Sequence, residues 1–248
     1  MADLKGADEW LYRAEEHLAD FQEISAPLID AEIDAMISSL HFDPSPSNPP
    51  SFGYRTPESE IPPRASVLIG ELIQALRRSL DYLIYELAIL DSGCEQHGTQ
   101  FPIDDCPNVF WARLTPKKKG STSYLNGVDP KHAAVIERYQ PYKGANWTKT
   151  LRSISNPDKH RHLVIGKHRA STRIMPLQDR ADQTPTRTSD GFTVGWNPND
   201  SMHMQFHFSV FIAFDDETPT YQTLDEIKAE VGNVLAEFRP CFGGQCHH

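Results

Sequence analysis

Met202-His203-Met204-Gln205-Phe206-His207-Phe208-Ser209-Val210-Phe211-Ile212-Ala213-Phe214 alternates apolar and polar side chains over most of its length. Successive side chains of a strand point to opposite faces. This period of two puts Met202, Met204, Phe206, Phe208, Val210, Ile212 and Phe214 on one face and His203, Gln205, His207 and Ser209 on the other. Just upstream, Phe192, Val194 and Trp196 alternate in the same way, and Asn197-Pro198-Asn199-Asp200 supplies turn chemistry. The two runs predict a hairpin with one buried face. For Trp196 to share that face with Met202 and Met204, paired residues must have numbers of equal parity, since a one-residue slip would turn the Phe row to water. Residues 170–177 can add a third strand. Downstream, Thr223 is the expected cap of a helix over 224–238, with Leu224, Ile227, Val231, Leu235 and Phe238 at helical spacing, ended by Pro240 and followed by a polar tail, 240–248.

Upstream of the sheet the period is helical. Residues 64–91 place Ile69, Ile73, Leu76, Leu80, Leu83, Leu87 and Leu90 in alternating steps of four and three, a helix buried along one seam. Trp10, Leu11, Ala14, Leu18 and Phe21 predict an amphipathic helix over 8–23. Ser25-Ala26-Pro27 is expected to interrupt it before a second stripe that runs to Leu40. The Pro- and Ser-rich stretch 42–63 reads as an extended connection, and 94–128 as irregular. Asp129-Pro130 opens a short helix that Pro141 ends. A longer one is expected over 146–167, kinked or restarted near Pro157. The whole predicts one α+β domain over 1–248: a helical bundle over 8–168, then a small antiparallel sheet and C-terminal helix over 169–239.

The chain has 248 residues, 39% of them hydrophobic, enough for a sizeable core. Its formal charge of −10 gives no global field toward nucleic acid or anionic lipid, so any RNA contact would be local. No run approaches the length of a membrane span and the N-terminus lacks a signal pattern, so the expectation is a cytoplasmic protein with no membrane association. Cys94, Cys106, Cys241 and Cys246 are too sparse for a disulfide framework and are expected as reduced thiols. No metal is expected: His203 and His207, four apart on a strand, lie about 13 Å from one another, and Cys241, Cys246, His247 and His248 sit in a terminal tail. No glycine-rich phosphate loop is present, and no cofactor is expected.

The expected 146–168 stripe, Trp147, Leu151, Ile154, Asp158, Arg161, Ile165 and His168, puts a carboxylate and a guanidinium on seam positions. On the 64–91 helix, Arg77 and Asp81 flank Leu80 on one face. If these helices pack together, Arg77, Asp81, Asp158 and Arg161 cluster, with Lys159 and His160 beside them. Such a cluster is either a crossed pair of structural ion pairs that fixes helix register or a reactive site.

Pro63-Arg64 through Asp81, Thr99-Gln100-Phe101-Pro102-Ile103, Gln140-Pro141-Tyr142 and Asp158-Lys159-His160-Arg161 resemble, in order, a widespread family of uncharacterised bacterial proteins. That family shares an Arg-x-x-x-Asp helix, a Phe-Pro-Ile loop and an Asp-Lys-His-Arg helix. The resemblance covers about residues 8–165 and implies no activity. More distantly, the helical part resembles the HEPN superfamily, whose active members are metal-independent ribonucleases with an Arg followed by a His four to six residues later. That likeness implies Arg161 and His168, with His160 nearby, as catalytic residues, the His as general acid or base and the Arg as phosphate stabiliser. It also implies helix-mediated pairing into a homodimer. Two functions stay open: a binding or interaction module with a protein or RNA partner, whose binding residues would be Arg77, Asp81, Asp158 and Lys159, and a ribonuclease acting on single-stranded RNA.

Overall fold

The computed structural model describes residues 2–39, 41–43, 51–53, 60–114, 123–155, 163–176, 186–188, 191–196, 202–214 and 218–243. Helices dominate them: α1 (Lys5–Ser39), α2 (Pro63–Ser92), α3 (Pro107–Trp111), α4 (Pro130–Glu137), α5 (Asn146–Ile154) and α6 (Thr220–Phe242), with a 3-10 turn at Pro141–Lys143. The strands are β1 (His41–Asp43), β2 (Ser51–Gly53), β3 (Leu163–Pro176), β4 (Thr186–Thr188), β5 (Gly191–Trp196) and β6 (Met202–Phe214). The chain packs as two compact units that interleave along the sequence. The first draws its described residues from Met1–Phe21, Ser66–His162 and Tyr221–His248, the second from Gln22–Ala65 and Leu163–Thr220.

The first unit is built on α2, where Ile69, Ile73, Leu76, Leu80, Leu83 and Leu87 are all buried. Leu68, Leu72, Ala75, Ser79, Ile84 and Ala88 are buried too, so the stripe is wider than one seam, while Leu90 at its end is 40% exposed. The start of α1 lies close against α2. Ser79 Oγ donates to the Ala7 carbonyl at 2.9 Å, and a Cβ at Gly6 would stand 2.7 Å from the Tyr82 ring. The Arg78 guanidinium covers Trp10 at 4.5 Å, and Arg239 of α6 pairs with Asp8 at 2.8 Å. α6 buries Leu224, Ile227, Val231, Val234, Leu235 and Phe238.

Two prolines expected to stop helices do not. Pro27 lies inside α1, and the buried positions Phe21, Ser25, Glu32, Ile33 and Met36 keep helical phase across it. Packing of that face outweighs a proline penalty of about 3 kcal/mol, and Ser25 Oγ donates to the Gln22 carbonyl at 3.2 Å just before the gap. Pro240 lies in the last turn of α6, which ends at Phe242 and begins at Thr220, ahead of the expected cap Thr223. Pro240 forfeits one i→i−4 hydrogen bond, and the helix ends two residues later.

The expected helix over 146–167 is the larger correction. α5 ends at Ile154, with Ser155 as its C-cap donating to the Leu151 carbonyl at 2.9 Å, and the chain is extended by Leu163. The helix stops short of Asn156-Pro157, a pair that disfavours its continuation. Leu163, Val164 and Ile165 instead pair with Phe214, Ala213 and Ile212, a β-branched run that suits a ladder better than a helix. The switch to extended chain thus comes earlier than the expected 168/169 boundary.

In the second unit the strand order is β3-β6-β5-β4, with every neighbour antiparallel. Phe192 faces Phe208, Val194 faces Phe206 and Trp196 faces Met204, so paired residues have equal parity. A register shift interrupts the β3–β6 ladder between Ala170 and Arg173. At the end of β6, Val210, Ile212, Ala213 and Phe214 are all buried, which covers both faces of the strand there. The 42–63 stretch, expected as a plain connection, carries the β1–β2 pair, His41 with Gly53, Phe42 with Phe52 and Asp43 with Ser51. None of the six is proline, so each can join the ladder. Among the described residues, no helix is long and apolar enough to cross a membrane.

Candidate functional site

Three of the motifs that carry the family resemblance meet around one loop of the first unit. Arg77 and Asp81 stand one turn apart on α2. The Phe101 N–H donates to Asp81 Oδ1 at 2.8 Å, and Arg77 Nη2 donates to the Phe101 carbonyl at 3.3 Å. The two side chains are 3.7 Å apart. Gln140, buried just before the 3-10 turn, reaches the next residues. Its Nε2 donates to the carbonyls of Pro102 (3.0 Å) and Ile136 (3.3 Å), and its Oε1 accepts from the Asp104 N–H at 2.9 Å. From α5, Arg152 Nη1 donates to the Ile103 carbonyl at 2.9 Å while Nη2 pairs with Asp105 at 2.8 Å. Side chains thus engage five backbone groups between Phe101 and Asp104, the Phe101 and Ile103 side chains are buried, and no helix or strand is needed to hold the segment. Beyond it, Asp104 takes both ends of a fork from Arg113 at 3.0 and 3.3 Å, and Arg113 lies 4.3 Å over the Tyr124 ring.

The chain before this loop is fixed as well. Gln96 accepts from Asn126 Nδ2 at 2.8 Å and donates to Ser92 Oγ at 3.1 Å, and the Gln100 N–H donates to the Tyr124 carbonyl at 3.1 Å. Gly127 has φ +81°, and a Cβ there would come within 2.7 Å of Gln96, so the contact requires glycine. His97, Gly98 and Thr99 span the gap between these anchors. Together with Asp81, Tyr82, Tyr85 and Gln96 they line a cleft of about 440 Å³. Asp81 is therefore both a clamp on Phe101 and part of the cleft wall. Burial raises its carboxyl above the ordinary value, against the opposing pull of Arg77 and the Phe101 N–H. The Tyr85 hydroxyl is raised by burial and by the Glu95 carboxylate beside it.

A second polar pair lies apart from the cleft lining. His132 Nδ1 is 2.9 Å from both oxygens of Asp91, which also accepts the Asp129 N–H at 2.7 Å. The Asp91 hydrogen bond raises the imidazole above its usual value against the cost of burial. On the other side of α4, Glu137 accepts from Trp111 Nε1 at 3.0 Å and from the Tyr142 hydroxyl at 2.9 Å; burial and Glu137 together push that hydroxyl upward.

Of the residues singled out in the sequence, Arg77 and Asp81 come together. Asp158, Lys159, His160 and Arg161 lie outside the described residues, and so do the Lys117-Lys118-Lys119 run and Cys246. His168 is not on a helix: it lies on β3, paired with Ser209. His203 and His207 lie on β6. Cys94 and Cys106 are free, but Cys241 is disulfide-bonded, contrary to the expectation of reduced thiols. A single bridge needs no disulfide framework. Among the described residues, no three His, Cys, Asp or Glu side chains are placed to hold a metal ion. Sequence reasoning assigned no role to Gln140, Arg152 or the His132–Asp91 pair. Gln140 carried a signal as part of a quoted motif, whereas no spacing rule links Arg152 to a loop 49 residues away. Comparison with protein-family models, with curated proteins and with solved structures finds no match to this chain.

Proposed function

We propose that this chain is a binding or interaction module in which the Arg77–Asp81 pair serves structure, holding one wall of a ligand cleft. The carrying observation is the clamp: side chains from α2, α5 and the α4 end fix the backbone from Phe101 to Asp104, and its first contact, Asp81, also lines the cleft. Preorganisation of this kind reduces the ordering cost of binding. The same reading takes the whole as an α+β fold, a HEPN-like helical part followed by a small antiparallel sheet and a C-terminal helix, in the uncharacterised bacterial family named above, working in the cytoplasm as a homodimer. Ribonuclease activity is the competing proposal, with Arg161 and His168 in the catalytic roles. The helical spacing that suggested this pair does not apply once His168 is on β3, so the binding module is preferred.

The test uses the full chain. Melting is followed against panels of amines, nucleotides and sugars, and single-stranded RNAs of varied sequence are incubated with the protein in the presence of a chelator. A ligand-dependent melting shift with intact RNA supports the binding module. Cleavage that Arg161→Ala and His168→Ala abolish without lowering the melting temperature would replace it with the ribonuclease.

A further inference from the structure

We propose that the cleft between Asp81, Tyr82 and Tyr85 of α2 and the 96–99 loop binds a small organic cation, one bearing an alkylammonium or guanidinium group. This rests on the binding-module reading and adds the class of ligand. Three observations on the first unit support it, beginning with size and rigidity. A volume of about 440 Å³ is within the range that encloses small ligands. Both sides are held: one is a buried helix, the other a segment anchored at Gln96 by Ser92 and Asn126, at Gln100 by Tyr124 and at Phe101 by Asp81 and Arg77.

The chemistry of the wall is the second observation. Asp81 commits Oδ1 to the Phe101 N–H, yet its side chain stays 30% exposed and lines the cleft. Tyr82, 42% exposed, and Tyr85 flank the cleft one turn apart on the same helix. A carboxylate beside aromatic side chains attracts a cation both by charge and through the ring quadrupole. Gly98, with φ +74°, presents backbone without a Cβ, so a ligand can approach the loop closely.

Charge balance is the third. Arg77, 3.7 Å from Asp81, partly offsets that carboxylate but is not among the lining residues, while Glu86 and Glu95 add negative charge around Tyr85. Inside a chain of net charge −10, a phosphate or carboxylate ligand would meet repulsion here, and a cation would not.

Agmatine, which carries a guanidinium and an ammonium, is the probe, titrated calorimetrically into the full chain at low and high salt. Expected is saturable one-to-one binding that weakens with salt, falls about tenfold in Asp81→Asn and falls roughly threefold in Tyr85→Leu. Asp81→Asn keeps an acceptor for the Phe101 N–H but gives up the charge facing Arg77, so its melting temperature is recorded, and Tyr85→Leu, which takes no part in the loop clamp, separates loss of ligand from loss of fold. Agmatine binding that Asp81→Asn leaves intact, or no agmatine binding at all, overturns the proposal. Adenosine and adenosine monophosphate are the parallel arms. If either binds and shifts fluorotyrosine signals at positions 82 and 85 while agmatine does not, the cation assignment fails and the binding module stands. If neither these nor any ligand of the wider panel binds, both fail.

Discussion

Replacing Gln140 with alanine tests whether the loop clamp carries energy. Gln140 is fully buried and serves two buried backbone groups, the Pro102 carbonyl at 3.0 Å and the Asp104 N–H at 2.9 Å. Truncation leaves both without a partner. A buried polar group stripped of its hydrogen bond costs about 1–3 kcal/mol, so two cost about 2–6 kcal/mol, with the lower end reached if water fills the space. For a chain of this size about 1 kcal/mol moves the melting temperature by roughly 2–4 °C, and the expected loss is roughly 4–24 °C by calorimetry. Gln140→Glu sharpens the test because it keeps the shape. Its carboxylate still accepts from Asp104 but turns an oxygen toward the Pro102 and Ile136 carbonyls, which repel it. Burial and those carbonyls raise the folded pKa of the new acid, so the folded state binds its proton more tightly than the unfolded state. The deficit against the native chain must then shrink as pH falls. A native-like melting temperature in Gln140→Ala, or a Gln140→Glu deficit that grows on acidification, would refute the reasoning.

The remaining predictions concern the same unit. The Asp91 hydrogen bond raises the His132 imidazole above its ordinary 6.5 against the cost of burial, with Asp129 adding to that effect and Lys131 opposing it. The stabilisation is therefore complete below about pH 6.5 and is lost as pH rises through the folded value; His132→Gln should flatten the fall in melting temperature across that window, and parallel curves would exclude the pair as its source. Arg77→Ala should cost about 1–2 kcal/mol by denaturant titration, not the 3–5 kcal/mol of a fully buried pair, because the Arg77 and Asp81 side chains stay 20% and 30% exposed and their contact is long. A loss above about 4 kcal/mol would mean that the pair is desolvated in solution. Gly6→Ala sets a helix-propensity gain of up to about 1 kcal/mol against a clash with Tyr82 of about 1–3 kcal/mol. Tyr82 is exposed enough to yield, so little stability is lost and the ring moves; an unshifted fluorotyrosine signal at position 82 would contradict the close approach.

What could be read from the residues depended on how far an interaction reaches along the chain. The α2 stripe was legible because a helix repeats its burial every three or four residues, and thirty residues of consistent pattern outvote any local exception. The end of α5 was not. Ile165 and His168 stand at helical steps from Ile154, but an isoleucine at the right step suits a strand equally, and the decision belonged to Phe214, Ala213 and Ile212 on β6, nearly fifty residues downstream. Pro27 misled for the same reason in reverse: its local penalty was visible, and the packing that overrides it was not.

The candidate site divides along this line too. Arg77 and Asp81 declare themselves as an i, i+4 pair, which made an ion pair between helices the natural expectation. Their stronger partner is the backbone of Phe101, at 2.8 Å from Asp81, and no charge pattern marks a peptide group as a partner. A loop that borrows its hydrogen bonds from the side chains of three distant elements has neither a period nor a charge signature. Gln140 shows the consequence: a neutral side chain in an otherwise ordinary Gln-Pro-Tyr sequence holds Pro102 and Asp104 at once, and so belongs to the same device as the charged pair. Three of the four quoted motifs are thus parts of one clamp, and His97 to Thr99, between its anchors, line the adjoining cleft.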